Sequence, residues 1–187
     1  GNWSSLDSSQ QTALINGDTT TDGQNRLNWI RGDQSKEKKN GGTFRNRNKL
    51  LGDIVNSDPL YVDATKSQYV GTTKTVYVGA NDGMLHAFDA ATGVEKFTFV
   101  PKAVFSNLAN LTSPSYAHQF FVDGSAQIGD AGGKAILLGT TGAGGRSIFA
   151  LDVSNPDSFD ASKVLWEYTD TDLGYTIGQP SIGRLQN

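Results

Sequence analysis

The chain has 187 residues, a net charge of −3 and 22 glycines, a balance that supplies no cationic field for a polyanion and removes nucleic acid from the expected partners. It has no cysteine, so disulfides, thiolate metal sites and cysteine nucleophiles are excluded. No apolar run approaches the roughly eighteen residues that a membrane-spanning helix needs.

Residues 1–50 are polar, and their periodicity predicts two short helices, Ser9 to Ile15 and Asn25 to Ile30. Arg31-Gly32-Asp33 follows, and then the basic loop Lys36 to Gly42. Residues 51–101 read as a first β unit. Within it, Val76 to Pro101 gives three strands separated by two turns. Asn81-Asp82-Gly83 supplies a tight hairpin, and Asp89 to Gly93 supplies a turn in which the carboxylate can accept backbone amides while glycine takes a left-handed conformation. Residues 102–116 read as a helical insertion, because Val104, Phe105, Leu108 and Leu111 lie on one helical face and Ser113-Pro114 ends it.

Residues 117–170 repeat the grammar of the first unit. Ala135 to Leu138 is an apolar run, Thr140 to Arg146 a glycine-rich turn, Ser147 to Val153 a strand, and Lys163 to Tyr168 a strand carrying Trp166. Residues 171–187 open a third unit, with an inner strand expected over Ile177 to Leu185. Short strands precede all three units, at Ser57 to Val62, Gly124 to Gly129 and Gly178 to Gly183. Pro59 and Ala126 are 67 residues apart, and Ala126 and Pro180 are 54 apart, which indicates a repeat lengthened by insertions. The fold class is therefore all-β, part of a β-propeller with short helical insertions. Two units and the start of a third cannot close a ring that needs about four to eight, so the chain reads as a piece of a larger protein.

Three motifs bear on function. In an exposed loop, Arg31-Gly32-Asp33 presents a guanidinium and a carboxylate on either side of a glycine hinge, a pair able to bridge an integrin-type receptor and its metal ion; the alternative is a helix end, buried by Trp29-Ile30 and stopped at Gly32. For calcium, no D-x-[DN]-x-[DN]-G loop exists, and the nearest oxygen ligands are Asp152, Asn155, Asp157 and Asp160, with Asp170 and Asp172 further on; their spacing suits turn capping as well as metal binding. Ala87-Phe-Asp89-Ala-Ala-Thr92-Gly93-Val-Glu-Lys-Phe97 resembles the docking motif of quinoprotein dehydrogenases, with phenylalanine in place of tryptophan. The second unit keeps Ala150-Leu151-Asp152 but not the threonine and glycine. With no vicinal cysteine pair, the motif is read as packing between blades, and a quinoprotein-like periplasmic dehydrogenase is the competing function. His86 and His118 have no ligand partner at metal spacing and are read as hydrogen-bonded residues, and Gly142 to Gly145 as a hairpin turn rather than a phosphate cradle.

Leu50 to Val62, Tyr77 to Phe88, Phe121 to Ser125 and Asp172 to Ser181 together resemble the C-terminal domain of the PilY family of type IV pilus proteins. The resemblance implies a modified β-propeller related to quinoprotein repeats, exported to the surface of a Gram-negative bacterium at the pilus tip or outer membrane. It implies a noncatalytic role in pilus assembly, in opposing retraction and in adhesion, with minor pilins and the pilus machinery as partners and host integrin as a candidate receptor. Calcium belongs to the family as a whole, and its loop is expected beyond Asn187; no cofactor is firmly implied for these residues.

Overall fold

The computed structural model describes residues 2–183. Two helices open it. Helix α1, Ser8–Ile15, is capped by Asp7, which accepts from the Gln10 amide. Helix α2, Thr20–Ile30, begins five residues earlier than the periodicity indicates, because Thr19 and Asp22 form a reciprocal capping box that recruits the polar first turn. The apolar faces of α1 and α2 meet the segment 102–112 in one cluster containing Leu14, Trp29, Leu108 and Phe121. That segment is not the single helix expected. It is a broken helix: 3₁₀ over Lys102–Val104, α3 over Phe105–Leu108, and 3₁₀ again over Ala109–Thr112. The apolar pattern nevertheless buries Val104, Leu108 and Leu111.

The rest is two four-stranded antiparallel sheets, each with its strands in chain order. The first holds β1 (Leu60–Val62), β2 (Thr75–Gly79), β3 (Leu85–Asp89) and β4 (Glu95–Phe99). The second holds β5 (Gln127–Ala131), β6 (Lys134–Thr140), β7 (Ile148–Asp152) and β8 (Val164–Tyr168). The β2–β3 hairpin turns on Gly83 at φ 97°; Asn81 and Asp82 do not need positive φ, and Asn81 is used for its side chain instead. In both sheets the pairing of the third and fourth strands carries an irregularity after the central alanine, at Ala87/Phe88 and at Ala150/Leu151. That shared fault identifies the sheets as copies of one unit.

One face of the first sheet, with Tyr77, Leu85, Ala87 and Phe99, packs on Leu137, Phe149 and Leu151 of the second. Each large side chain buried there contributes about 1.5–3 kcal/mol. The register aligns Tyr77, Ala87 and Phe97 in the first sheet and Leu138, Ala150 and Trp166 in the second. Phe97 is covered by the second sheet's loop, whereas Trp166 is 47 % exposed among the described residues. The strand expected over Ile177 to Leu185 is absent from its described part, and its last two residues lie outside the described region. Residues 171–183 form only an isolated bridge, Thr176 to Gly142, and lay Ile182 against Gly129. A strand needs a hairpin partner, and none stands beside this segment among the described residues.

Candidate functional site

The Arg31-Gly32-Asp33 segment is the end of α2. Gly32, at φ 105°, donates its N–H to Trp29 O (2.9 Å), and the Asp33 N–H reaches back to Asn28 O (3.0 Å), so the tripeptide is a Schellman stop. Arg47 locks it from beneath, donating to Trp29 O at 2.7 Å and Asp33 O at 3.0 Å with its guanidinium 3.5 Å from the Trp29 ring centre. Arg47 is held in turn by the fully buried Glu37, which accepts from its Nε (2.8 Å) and its backbone N–H (3.0 Å). Burial pushes the Glu37 carboxyl up, but the Arg47 and Lys39 donors outweigh it and hold the group down to about 2. Arg31 and Asp33 are both exposed. The Asp33 carboxylate already accepts the Ser35 N–H at 2.7 Å, which lowers its pKa. The segment is thus a rigid helix cap with two exposed ends, not a flexible loop.

The four oxygen-bearing residues of the second unit do not converge. Asp152 caps Ser154 and pairs with Lys134 at 3.0 Å, Asp157 pairs with Lys96, and Asp160 accepts from Ser162 at 2.8 Å; Asn155 starts the short 3₁₀ turn at Pro156. The three aspartates are each spent on different neighbours, and no group of three or more acidic or histidine side chains able to hold a metal occurs among the described residues. A calcium ion wants six to eight oxygens around one point. These four residues do not fit it.

The first Ala-x-Asp unit builds packing. Asp89 accepts the Ala91 and Thr92 amides at 3.1 and 2.9 Å and the Thr92 hydroxyl at 2.9 Å, which pulls its carboxyl to about 2. The turn delivers Phe97, whose ring stacks on Phe159, in the β7–β8 loop of the second unit, with centroids 3.8 Å apart and planes 4° from parallel. Lys96, from the same strand, bridges Asp89 of the first unit at 3.2 Å to Asp157 of the second. That cross-unit ion bridge has no signature in the sequence.

A polar ladder runs along the inner edge of the two units. Asn56 donates its N–H (3.1 Å) and Nδ2 (2.6 Å) to the buried carboxylate of Asp123, and the Asp58 N–H donates to the Ser125 hydroxyl at 2.9 Å. Asn81 Nδ2 donates to Asp53 at 3.0 Å, and Asn81 Oδ1 accepts from the Phe121 N–H at 3.0 Å. Both histidines have carboxylate partners that sequence spacing concealed. His118 Nε2 lies 2.7 Å from Asp53, 65 positions away. His86, 3 % exposed, sits between Glu95 on Nδ1 (2.7 Å) and Asp82 on Nε2 (3.1 Å). Burial alone would lower its pKa, yet the two carboxylates prevail and raise it. The position of Asp82, four residues before His86 across a tight turn, was the available clue.

Two concavities flank the exposed Leu50-Leu51 step. One, of about 620 Å³, runs over the outer face of the first sheet and is lined by Arg31, Gly32, Met84, His86 and Phe88. The other, of about 270 Å³, lies among Trp29, Arg45, Lys49, Asp53 and Tyr116.

Comparison with known proteins then places the chain. The model of the PilY1 beta-propeller domain family matches residues 51–187. The "Type IV pilus biogenesis factor PilY1" of Pseudomonas aeruginosa is 42 % identical over 99 % of this chain, and a homologue of that factor in Xylella fastidiosa is 40 % identical over 85 % of it. The chain spans only 18 % and 15 % of the length of these relatives. The crystal structure of the Pseudomonas aeruginosa PilY1 C-terminal domain aligns with 70 % of this chain and 28 % of its own, at 37 % identity and a TM-score of 0.48.

Proposed function

Because the chain belongs to the PilY1 β-propeller family, we propose that it is a noncatalytic scaffold of a type IV pilus biogenesis factor, carried at the cell surface, that supports pilus assembly and opposes retraction. The observation that carries this reading is the use made of the quinoprotein-like motif. Asp89, Thr92 and Phe97 spend their functional groups on a turn and on the Phe159 stack, which leaves the motif engaged in joining sheets rather than facing a cofactor. Minor pilins and the pilus machinery are the partners this role requires.

The test is genetic and biochemical together. In a piliated bacterium lacking its own factor, the full-length protein restores surface pili, and a strain that also lacks the retraction motor makes pili without it. Failure of the factor to restore pili in the strain that keeps its motor, or a motor-less strain that stays without pili until the factor is supplied, overturns the scaffold reading. Turnover of alcohols or sugars by purified protein with added pyrroloquinoline quinone would instead establish the dehydrogenase.

Adhesion through the tripeptide is a second reading, favoured by the exposure of both Arg31 and Asp33. Its test is integrin binding by the native chain against Asp33→Glu, and equal binding removes it. Calcium, where the full-length protein uses it, is assigned outside the four residues between Asp152 and Asp160.

A further inference from the structure

We propose that the 270 Å³ concavity beside Leu50-Leu51 is a receptor for a carboxylate carried on an acidic segment of a protein partner, with Arg45 as its anchor. Arg45 is built as a fixed fork. Its backbone N–H donates to Thr112 O at 2.8 Å and its Nε to Leu111 O at 2.9 Å, while the guanidinium lies 4.4 Å from the Tyr116 ring centre and 5.5 Å from that of Trp29. Its two terminal nitrogens make no hydrogen bond among the described residues. A planar guanidinium held by its Nε and its faces presents those two N–H groups in the geometry that a carboxylate accepts bidentately.

The surroundings sort themselves by charge. The two acids that line the cavity are already committed: Asp53 to Asn81 and His118, and Asp82 to the Gly52 N–H (2.6 Å) and His86. Of the cations, Arg47 is spent on Glu37, Trp29 O and Asp33 O, whereas Arg45 and Lys49 have no carboxylate partner among the described residues. Lys49 on the same wall is exposed and has no partner among the described residues, and the buried indole N–H of Trp29 is also without an acceptor. Burial pushes the Arg45 guanidinium below its ordinary value, as for a cation without a carboxylate in contact. Leu50 and Leu51, 51 % and 41 % exposed, form the rim. A free small anion leaves that apolar rim in water, whereas a peptide segment covers it while delivering its carboxylate. The site stands on Arg45 and its neighbours, independently of the pilus reading, which would only name the partner.

The experiment titrates the 187-residue chain with an end-capped triglutamate, end-capped triglutamine and acetate, following the Trp29 indole N–H and Arg45 Nε resonances. Triglutamate is expected to shift both saturably, at lower concentration than acetate, with triglutamine inert. Arg45→Gln weakens the response about tenfold or more, the worth of a charge-assisted bidentate pair. Lys49→Gln, which breaks no hydrogen bond or ion pair among the described residues, weakens it severalfold; Lys38→Gln in the basic loop leaves it unchanged. An equal response to triglutamine, acetate as effective as triglutamate at equal carboxylate concentration, or undiminished binding by Lys49→Gln together with folded Arg45→Gln overturns the proposal.

Discussion

Phe97→Ala tests the claim that the aspartate-turn-aromatic unit joins sheets. The ring lies 3.8 Å from Phe159, nearly parallel, and 6.2 Å from Tyr77. Phe97 and Phe159 are both half-buried, so truncation of either removes less than the 3–5 kcal/mol of a fully buried phenylalanine; about 2 kcal/mol is expected for each. The specific term is their coupling. Stacked aromatic pairs are worth about 0.5–1.5 kcal/mol beyond area, so the double variant should cost about 1 kcal/mol less than the sum of the singles. Urea unfolding of native, Phe97→Ala, Phe159→Ala and the double variant measures this, with unchanged m-values as the check on two-state behaviour. Trp166→Ala is the internal control: it holds the matching position in the second sheet but is half exposed, and should cost under about 1 kcal/mol. Additivity within about 0.3 kcal/mol, or a Trp166 loss equal to that of Phe97, would refute the reasoning.

Glu37→Gln leaves the Arg47 guanidinium buried without its counter-charge and should cost about 3 kcal/mol, lowering the thermal midpoint by roughly 6–12 °C. Because the Glu37 pKa falls from 4.5 to about 2 on folding, its contribution is whole above 4.5 and is lost as pH drops towards 2; acid titration of the midpoint, compared with Glu37→Gln, isolates that loss. His86 has the opposite sign. Its pKa is raised above 6.5 by Asp82 and Glu95, so its stabilisation is complete below 6.5 and declines as pH rises through the folded value. His86→Gln should flatten that alkaline decline in a melting series. In Gly79→Ala, the new Cβ would stand 2.3 Å from Val122 O, and since the obstacle is backbone the chain must move; a loss of about 1–3 kcal/mol is expected by chemical denaturation.

The strands of the first unit were legible because their signals are local. Tyr77 and Val78 resume as Leu85 to Phe88 after a glycine that takes positive φ, and Asp89 closes its turn with donors two and three residues away. The broken segment 102–112 was half legible: its apolar spacing picked out the buried residues, but nothing in the pattern distinguishes α from 3₁₀ winding in so short a stretch. The candidate sites fared differently. Gly32 as a helix stop follows from sequence, yet its lock, Arg47 on Glu37, joins residues ten positions apart outside any helix or strand pattern. The Asp53–His118 and Lys96–Asp157 pairs join residues 65 and 61 positions apart, and no periodicity reports such a meeting.

The repeat offsets carry more than periodicity does. Pro59 and Ala126 differ by 67 positions, and the inner-edge ladder pairs residues at that same separation, Asn56 with Asp123 and Asp58 with Ser125. Corresponding residues of successive units therefore face each other across the inner edge, and the offset doubles as a contact map. The second offset behaves alike. The Val122 N–H approaches Ala80 O at 3.4 Å where the chain passes from the first unit to the second, and Thr176, 54 positions later, bridges Gly142, one residue beyond the position that the register aligns with Ala80. A hand-off that recurs with the repeat length is what sequential stacking of sheets around an axis requires. Thr176 makes it without the rest of a third sheet beside it among the described residues. The contact that passes the chain from one unit to the next is thus encoded ahead of the unit it introduces.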